Sequence, residues 1–94
     1  MPVGVEEEVA GIGLLRVFPN PAREQATLEL QTRENAVLTY RLLDVNGREI
    51  QRNTWVTAAG MNTRSIDLSL LPAGIYCVLL GGEDAVVARK LVKK

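Results

Sequence analysis

Short stretches of the chain alternate between apolar and polar residues, which is the periodicity of a β-strand with one buried face. In residues 25–31 the apolar positions are predicted to point inward and the residues between them outward, and residues 36–44 repeat this pattern. The inward positions predicted for the two stretches are Ala26, Leu28, Leu30, Leu38, Tyr40 and Leu42. The alternation therefore predicts two strands that each contribute one face to a common core.

A longer apolar segment, residues 66–80, is divided by the sequence Leu71-Pro72-Ala73-Gly74. Proline and glycine both favour a tight turn at this point, and Asp67 is placed to accept a hydrogen bond in the turn that follows it. Residues 74–80 are apolar at both odd and even positions, which is typical of a central strand covered on both faces. The segment predicts a strand, a tight connection and a central strand against which the rest of the chain packs.

Turn-forming residues separate the other stretches. Pro19 and Pro21 flank Asn20, and two prolines this close together exclude both helix and strand pairing. Asn46-Gly47 is a strong signal for a tight β-hairpin, because both residues tolerate a positive φ. A second hairpin loop is predicted at Gly81-Gly82-Glu83-Asp84.

Seven short strands at regular spacing, without a helical period, make up the predicted fold. They cover residues 14–18, 25–31, 36–44, 48–56, 61–69, 74–80 and 85–92. Ile50 and Trp55 lie on opposite phases of the fourth strand, which is therefore expected to contain a bulge or to lie at a sheet edge. The pattern predicts an all-β domain, an immunoglobulin-like antiparallel β-sandwich, over residues 14–94, with a lead-in segment at residues 1–13.

The composition is typical of a single globular domain and restricts the classes of partner that the domain is expected to bind. The 94 residues are 47% hydrophobic and carry a net charge of +0, so the overall charge favours neither nucleic acid nor an anionic membrane surface. No apolar run approaches the length of a transmembrane helix, so direct membrane insertion is not expected. Cys77 has no partner for a disulfide and lies in the most apolar strand, where a buried hydrophobic role is expected. The start of the chain does not resemble a secretory signal, so we expect a longer parent chain to direct the first step of any export.

Residue types that carry catalysis are scarce. The chain has no histidine, the commonest general base and transition-metal ligand. The sequence from Asp44 to Gly47 resembles the start of a calcium loop but lacks the further acidic ligands, so a hairpin organised by the Asp44 carboxylate is expected. Gly81-Gly82 precedes two acidic residues, which would repel a phosphate. We therefore expect no enzymatic activity, and no catalytic, cofactor-binding or metal-binding residues.

Carbohydrate binding is a further possibility for a sandwich of this size. Sugar sites use aromatic platforms, and aromatic residues make up only 4% of this chain. Tyr40 and Tyr76 are predicted to lie in the core, which leaves Trp55 as the aromatic residue expected to be exposed. An immunoglobulin-like adhesion, stalk or carbohydrate-binding module of a secreted protein stays open as the alternative function.

An ordered series of motifs gives a more specific indication. The series is VFPNPA at residues 17–22, LDVNGREI at 43–50, IDL at 66–68, LPAGIY at 71–76 and RKLV at 89–92. It resembles the C-terminal sorting domain, type A, of the type IX secretion system of Bacteroidetes-type bacteria. The resemblance covers residues 14–94, and its strength lies in the order and spacing of the motifs.

This resemblance implies that the domain is a non-catalytic sorting signal at the C-terminal end of a larger exported cargo protein. It implies that the cargo reaches the periplasm by an ordinary signal peptide, and that shuttle proteins and the outer-membrane translocon recognise the domain. It also implies that a sortase-like peptidase removes the domain, so that the cargo is attached to the cell surface or released.

The family signature maps onto fifteen residues of this chain, and these are the candidate recognition residues. They are Pro19, Asn20, Pro21, Asp44, Asn46, Gly47, Arg48, Leu71, Pro72, Gly74, Tyr76, Arg89, Lys90, Lys93 and Lys94. Folding accounts for most of the turn residues and for Tyr76. Lys93 and Lys94 are expected to extend past the last strand and to bury little, where they either are read by the machinery or protect a sheet edge.

Overall fold

A computed structural model describes residues 12–82 and 86–94. Its seven strands are β1 (Ile12–Phe18), β2 (Gln25–Thr32), β3 (Ala36–Asp44), β4 (Glu49–Thr57), β5 (Gly60–Asp67), β6 (Gly74–Gly81) and β7 (Val86–Lys93). The described ranges contain no helix, and accordingly no helix that could cross a membrane. Residues 1–11 of the predicted lead-in, and residues 83–85 near the second predicted hairpin, lie outside the described residues. The last two residues of the predicted lead-in, Ile12 and Gly13, belong instead to β1.

The strands form two antiparallel sheets, one of three strands in the order β1-β2-β5 and one of four in the order β4-β3-β6-β7. Chain connections cross between the sheets after β2, β4 and β5, whereas β1–β2, β3–β4 and β6–β7 pair directly within one sheet. This is the immunoglobulin-like sandwich that the sequence predicts. The predicted strand ends agree to within about two residues, the variation expected between assignments.

The core lies between the two sheets and is built from the inward phase of each strand. All six inward positions predicted on β2 and β3 are buried, and so is Tyr76. The other fully buried apolar side chains come from both sheets and from the connections between them. They include Ala22, Leu68, Val78, Leu80 and Leu91. Packing across this layer, which removes apolar surface from water, supplies the main stabilisation of the fold.

Strand β4 contains the predicted bulge and also lies at a sheet edge. Leu42 pairs with Gln51 but Leu43 pairs with Glu49, so Ile50 has no partner on β3. The extra residue shifts the phase of the strand, so that Trp55 turns inward and is only 7% exposed. The prediction of an exposed Trp55 is therefore wrong, because both Ile50 and Trp55 pack against the core.

Strand β6 lies between β3 and β7, as predicted for a central strand, but one of its faces is not covered by a second layer. Tyr76, Val78 and Leu80 are buried, whereas Ile75 on the outward phase is 49% exposed. Cys77, on the same outward phase, is half-buried rather than buried. The expectation of burial on both faces is thus wrong, and this sheet presents apolar side chains to its outer side.

Candidate functional site

The signature residues come from four separate parts of the sequence, and the fold brings most of them to one end of the sandwich. Successive strands run in opposite directions, so β1, β3, β5 and β7 end where β2, β4 and β6 begin. The turn at residues 19–21, the hairpin at 44–48, the connection at 71–76 and the end of β7 all lie there. We call this region the signature end. Arg89 and Lys90 lie farther along β7, opposite Val78 and Cys77.

Asn20 joins the first turn to the last strand. Its side-chain Nδ2 donates to the Lys90 carbonyl at 2.8 Å, and its Oδ1 accepts from the Val92 amide at 3.0 Å. Ala22 continues this pairing, because its amide donates to the Val92 carbonyl at 2.7 Å and its carbonyl accepts from the Lys94 amide at 2.8 Å. The segment between Pro19 and Ala22 therefore lies along β7 as a short parallel partner and covers the end of its free edge.

Asp44 organises the hairpin between β3 and β4. Its Oδ1 accepts from the backbone amides of Asn46 and Arg48, both at 2.9 Å, and its backbone carbonyl accepts from the Gly47 amide at 2.9 Å. Gly47 has φ of 85°, a conformation that glycine adopts without steric cost. The hydrogen bond from the Arg48 amide is the largest cause of the lowered pKa of Asp44. This confirms the predicted hairpin and gives the carboxylate a structural role.

The connection between β5 and β6 is held in a similar way. Asp67 accepts hydrogen bonds from the Ser69 amide at 2.9 Å and the Ser69 hydroxyl at 2.7 Å, as predicted for the turn after it. These bonds hold the pKa of Asp67 below its ordinary value. The Tyr76 hydroxyl donates to the Pro72 carbonyl at 2.6 Å, which fixes the start of β6 against the turn.

The basic end of the chain does not extend away from the fold, and the expectation for Lys93 and Lys94 is corrected. Lys93 belongs to β7, pairs with Gly74, and donates from Nζ to the Leu71 carbonyl at 2.6 Å. Lys94 is bonded through its amide to Ala22, while its side chain is exposed. The turn at residues 19–21, the connection at residues 71–76, and strands β6 and β7 are thus held together by both backbone and side-chain hydrogen bonds.

Some residues of the signature end carry no recognisable signal in the sequence. Gln51 accepts from the Tyr40 hydroxyl at 3.0 Å and donates to the Asp67 carbonyl at 3.1 Å, which links β3, β4 and β5. Burial raises the pKa of Tyr40 to about 12, so its phenol stays a donor. Ala22 is fully buried, yet an alanine between two charged or turn residues predicts nothing. These contacts depend on the bulge at Ile50 and on long-range pairing.

Charged side chains surround a depression at the signature end. An open depression of about 430 Å³ is lined by Arg23, Glu24, Gln25, Ser69, Lys93 and Lys94. Within residues 12–82 and 86–94, no three His, Cys, Asp or Glu side chains come together as metal ligands. The structure therefore defines an immunoglobulin-like domain whose distinctive residues build a charged end surface.

Comparison with known proteins assigns this domain to a family. The family model for the secretion system C-terminal sorting domain matches residues 16–94, so the chain belongs to that family. It is a sorting-signal domain of the type IX system, as the order of its motifs indicates. The sorting function implies interaction with the secretion system, a fused cargo, and export to the cell surface or the extracellular space.

Solved structures match the same fold. Thirteen solved chains match, among them dimeric latent PorU from Porphyromonas gingivalis. The match has a TM-score of 0.65 and 20% sequence identity, and covers 84% of this chain but only 9% of the PorU chain. No curated protein matches the chain. The structural likeness therefore supports the sandwich fold, whereas the family assignment rests on the sequence match.

Proposed function

We propose that this domain is a non-enzymatic signal that directs a cargo protein fused ahead of it through the type IX outer-membrane translocon. The observation that carries the proposal is the family match over residues 16–94, which includes six complete strands and the last three residues of β1. The domain is read as a folded unit, with residues 1–13 as the lead-in and residues 14–94 as the signal.

The proposed route has two further steps. The parent chain enters the periplasm through its own signal peptide, where shuttle proteins deliver the domain to the translocon. A sortase-like peptidase at the cell surface then removes the domain, and the cargo is attached to the surface or released. Both steps come from the family resemblance, and neither requires catalysis by this chain.

The signature residues divide into two proposed roles. The hydrogen bonds of Asn20, Asp44 and Tyr76 supply a sufficient structural reason for the turns in which they lie. The side chains of Arg48 and Lys90 are exposed, and the Arg48 side chain contributes to its hairpin only through an ion pair with Asp44, 3.3 Å from Nε to Oδ2. We assign recognition to these exposed cations and folding to the turn residues, with Lys93 contributing to both.

An adhesion or carbohydrate-binding module is the rival function. Trp55, Tyr40 and Tyr76 are all buried, and Phe18 is half-buried with the Arg16 guanidinium 5.1 Å from its ring centroid. These four are all the aromatic residues of the chain. A stacked aromatic platform for sugar therefore has no support in the described surface, and no observation favours this rival over sorting.

The test is an export assay in a bacterium that possesses a type IX system. A periplasm-directed fluorescent protein carrying the full chain at its C-terminal end is expected at the cell surface or in the medium. The control is the same fusion with Leu28→Asp, which places a charge in the core and is expected to unfold the domain and abolish export. Retention of the folded wild-type fusion in the periplasm, while native cargo is exported, would overturn the proposal.

A further inference from the structure

The outer side of the four-stranded sheet carries a continuous set of apolar side chains. In the register of the sheet Leu43 lies opposite Cys77, Leu79 opposite Ala88, and Ile75 opposite Val92. We call these six residues the apolar stripe. Ile75 is 49% exposed, Ala88 is exposed and the other four are half-buried, so the stripe is open to a partner.

The outer side of the three-stranded sheet is different. Its central strand β2 presents Thr27, Glu29 and Gln31 outward, and Arg16 Nη1 lies 2.8 Å from Glu29 Oε1 across the sheet. Leu14, Phe18 and Met61 also lie on this outer face, but they belong to the edge strands β1 and β5, so the centre of this face is polar. The centre of the other outer face is apolar. A contiguous apolar patch that is bordered by polar residues is the type of surface that marks interaction sites.

Charged residues border the apolar stripe and indicate what kind of partner fits. Arg41 and Arg52 lie along one side, next to Leu79 in the register, and Lys90 lies on the other side opposite Cys77. Glu49 is the carboxylate between the arginines, and its Oε atoms lie 2.8 Å from Arg41 Nε and 3.0 Å from Arg52 Nε. Asp44 also lies beside the stripe, but it pairs with Arg48, whose Nε is 3.3 Å from Asp44 Oδ2, so the border as a whole stays net positive.

We propose that the apolar stripe and its cationic border are the surface on which an acidic component of the secretion machinery docks, an inference that rests on the proposed sorting function. A partner that presents apolar side chains flanked by carboxylates would bury the stripe and pair with Lys90 and the arginines. A depression of about 270 Å³ between the 44–45 turn and Lys90, lined by Ile75, Cys77 and Ala88, accepts one such apolar side chain. Apolar burial supplies affinity, and the charged border supplies orientation and a fast encounter.

A pair of matched substitutions tests this surface in the export assay. Ile75→Glu places a carboxylate on the apolar stripe, and Met61→Glu places one at a similarly exposed strand position on the opposite outer face, since Met61 is 56% exposed. Both variants are expected to fold, which thermal unfolding of the purified domains checks. Export of the Ile75→Glu fusion is expected to fall about tenfold, while Met61→Glu is exported as the wild type is. Equal export of the two variants would overturn the proposal.

The charge of the partner is tested at Lys90. Lys90→Glu is expected to lower export severalfold, and Lys90→Arg is expected to leave it unchanged. Equal export of the two variants would overturn the proposal of an acidic partner.

A second copy of this chain is the competing occupant of the apolar stripe, and sedimentation of the purified domain shows whether it forms a dimer. A dimer that Ile75→Glu dissociates would overturn docking of the machinery, whereas a monomer supports it. Failure of the sorting function itself is distinguishable, because the wild-type fusion would then stay in the periplasm.

Discussion

The Asp44 carboxylate shows how one side chain can define a turn. It accepts two backbone hydrogen bonds and lies 3.3 Å from Arg48 Nε, and all of these contacts favour its charged form. Its pKa is accordingly lowered in the folded domain. A carboxylate whose folded pKa lies below its unfolded pKa stabilises the fold above the unfolded pKa, and this stabilisation is lost as the pH falls through the folded pKa.

We predict that Asp44→Asn removes part of the pH dependence of stability. The unfolded pKa of an aspartate is about 3.9, so the wild type is expected to exceed the variant in stability at neutral pH and to lose this advantage as the pH falls below about 4. Urea unfolding followed by Trp55 fluorescence between neutral and acidic pH measures it. Asn46→Ala is the control, because it keeps the backbone amide that Asp44 accepts from and should retain the wild-type pH profile. Parallel profiles for wild type and Asp44→Asn would contradict the prediction.

Single residues also show where sequence reasoning stops. Alternation placed Leu28, Leu38 and Tyr40 correctly, because a regular strand keeps its phase from end to end. The opposite phases of Ile50 and Trp55 correctly indicated a bulge. The sequence did not show that the bulge lies at Ile50 itself, and that position is what turns Trp55 inward.

Among the elements, β7 depends most on distant parts of the chain. Asn20 bonds to it across a separation of 70 to 72 residues, and Lys93 reaches Leu71 across 22 residues. The sequence around Lys93 and Lys94 does not indicate these partners, which are distant along the chain. The sequence therefore predicts that the two lysines extend past the last strand, and only the tertiary contacts place them within the fold.

We predict that removing Lys93 and Lys94 destabilises the domain. The truncation deletes the Lys94 amide bond to Ala22 and the Lys93 Nζ bond to Leu71, which together are expected to cost about 1 to 3 kcal/mol. For a domain of this size such a loss lowers the melting temperature by roughly 5 to 15 °C, which circular dichroism measures.

Two variants separate backbone from side-chain effects at this element. Lys94→Ala keeps the Lys94 amide and changes only an exposed side chain, so it is expected to melt as the wild type does. Asn20→Ala is expected to destabilise in the same direction as the truncation, because it frees the Lys90 carbonyl and the Val92 amide. An unchanged melting temperature for the truncated domain would show that the end of β7 does not contribute to the fold.

At the scale of the whole molecule, the sequence predicts the sandwich more completely than it predicts the candidate site. Strand spacing and turn residues were sufficient for the architecture, since each turn signal acts locally. The signature positions were found by their order along the chain, but their assembly at one end follows from the alternation of strand direction. The sequence did not predict the open outer face of β6. The apolar pattern of a strand is the same whether that face is covered by a second layer of its own chain or by another protein.

The whole fold also limits where a peptidase can separate the domain from its cargo. β1 is paired with β2 from Ile12, which lies opposite Thr32, and the last described strand ends at Lys93. A peptidase requires a segment that is free of sheet pairing. We therefore predict that the cut falls before Ile12, within residues 2–11 or just upstream of them, where Gly4, Ala10 and Gly11 supply small residues. Mass spectrometry of the released domain identifies the new N-terminus.

Two fusions make this processing prediction sharper. Deleting residues 2–11 brings the cargo next to β1 and is expected to leave export intact but to prevent cleavage. Restoring the same length with glycine and serine is expected to restore cleavage if the peptidase needs only accessible chain, because such linkers are flexible. Cleavage of the deletion fusion at the normal rate, or a new terminus within residues 20–90, would contradict the prediction.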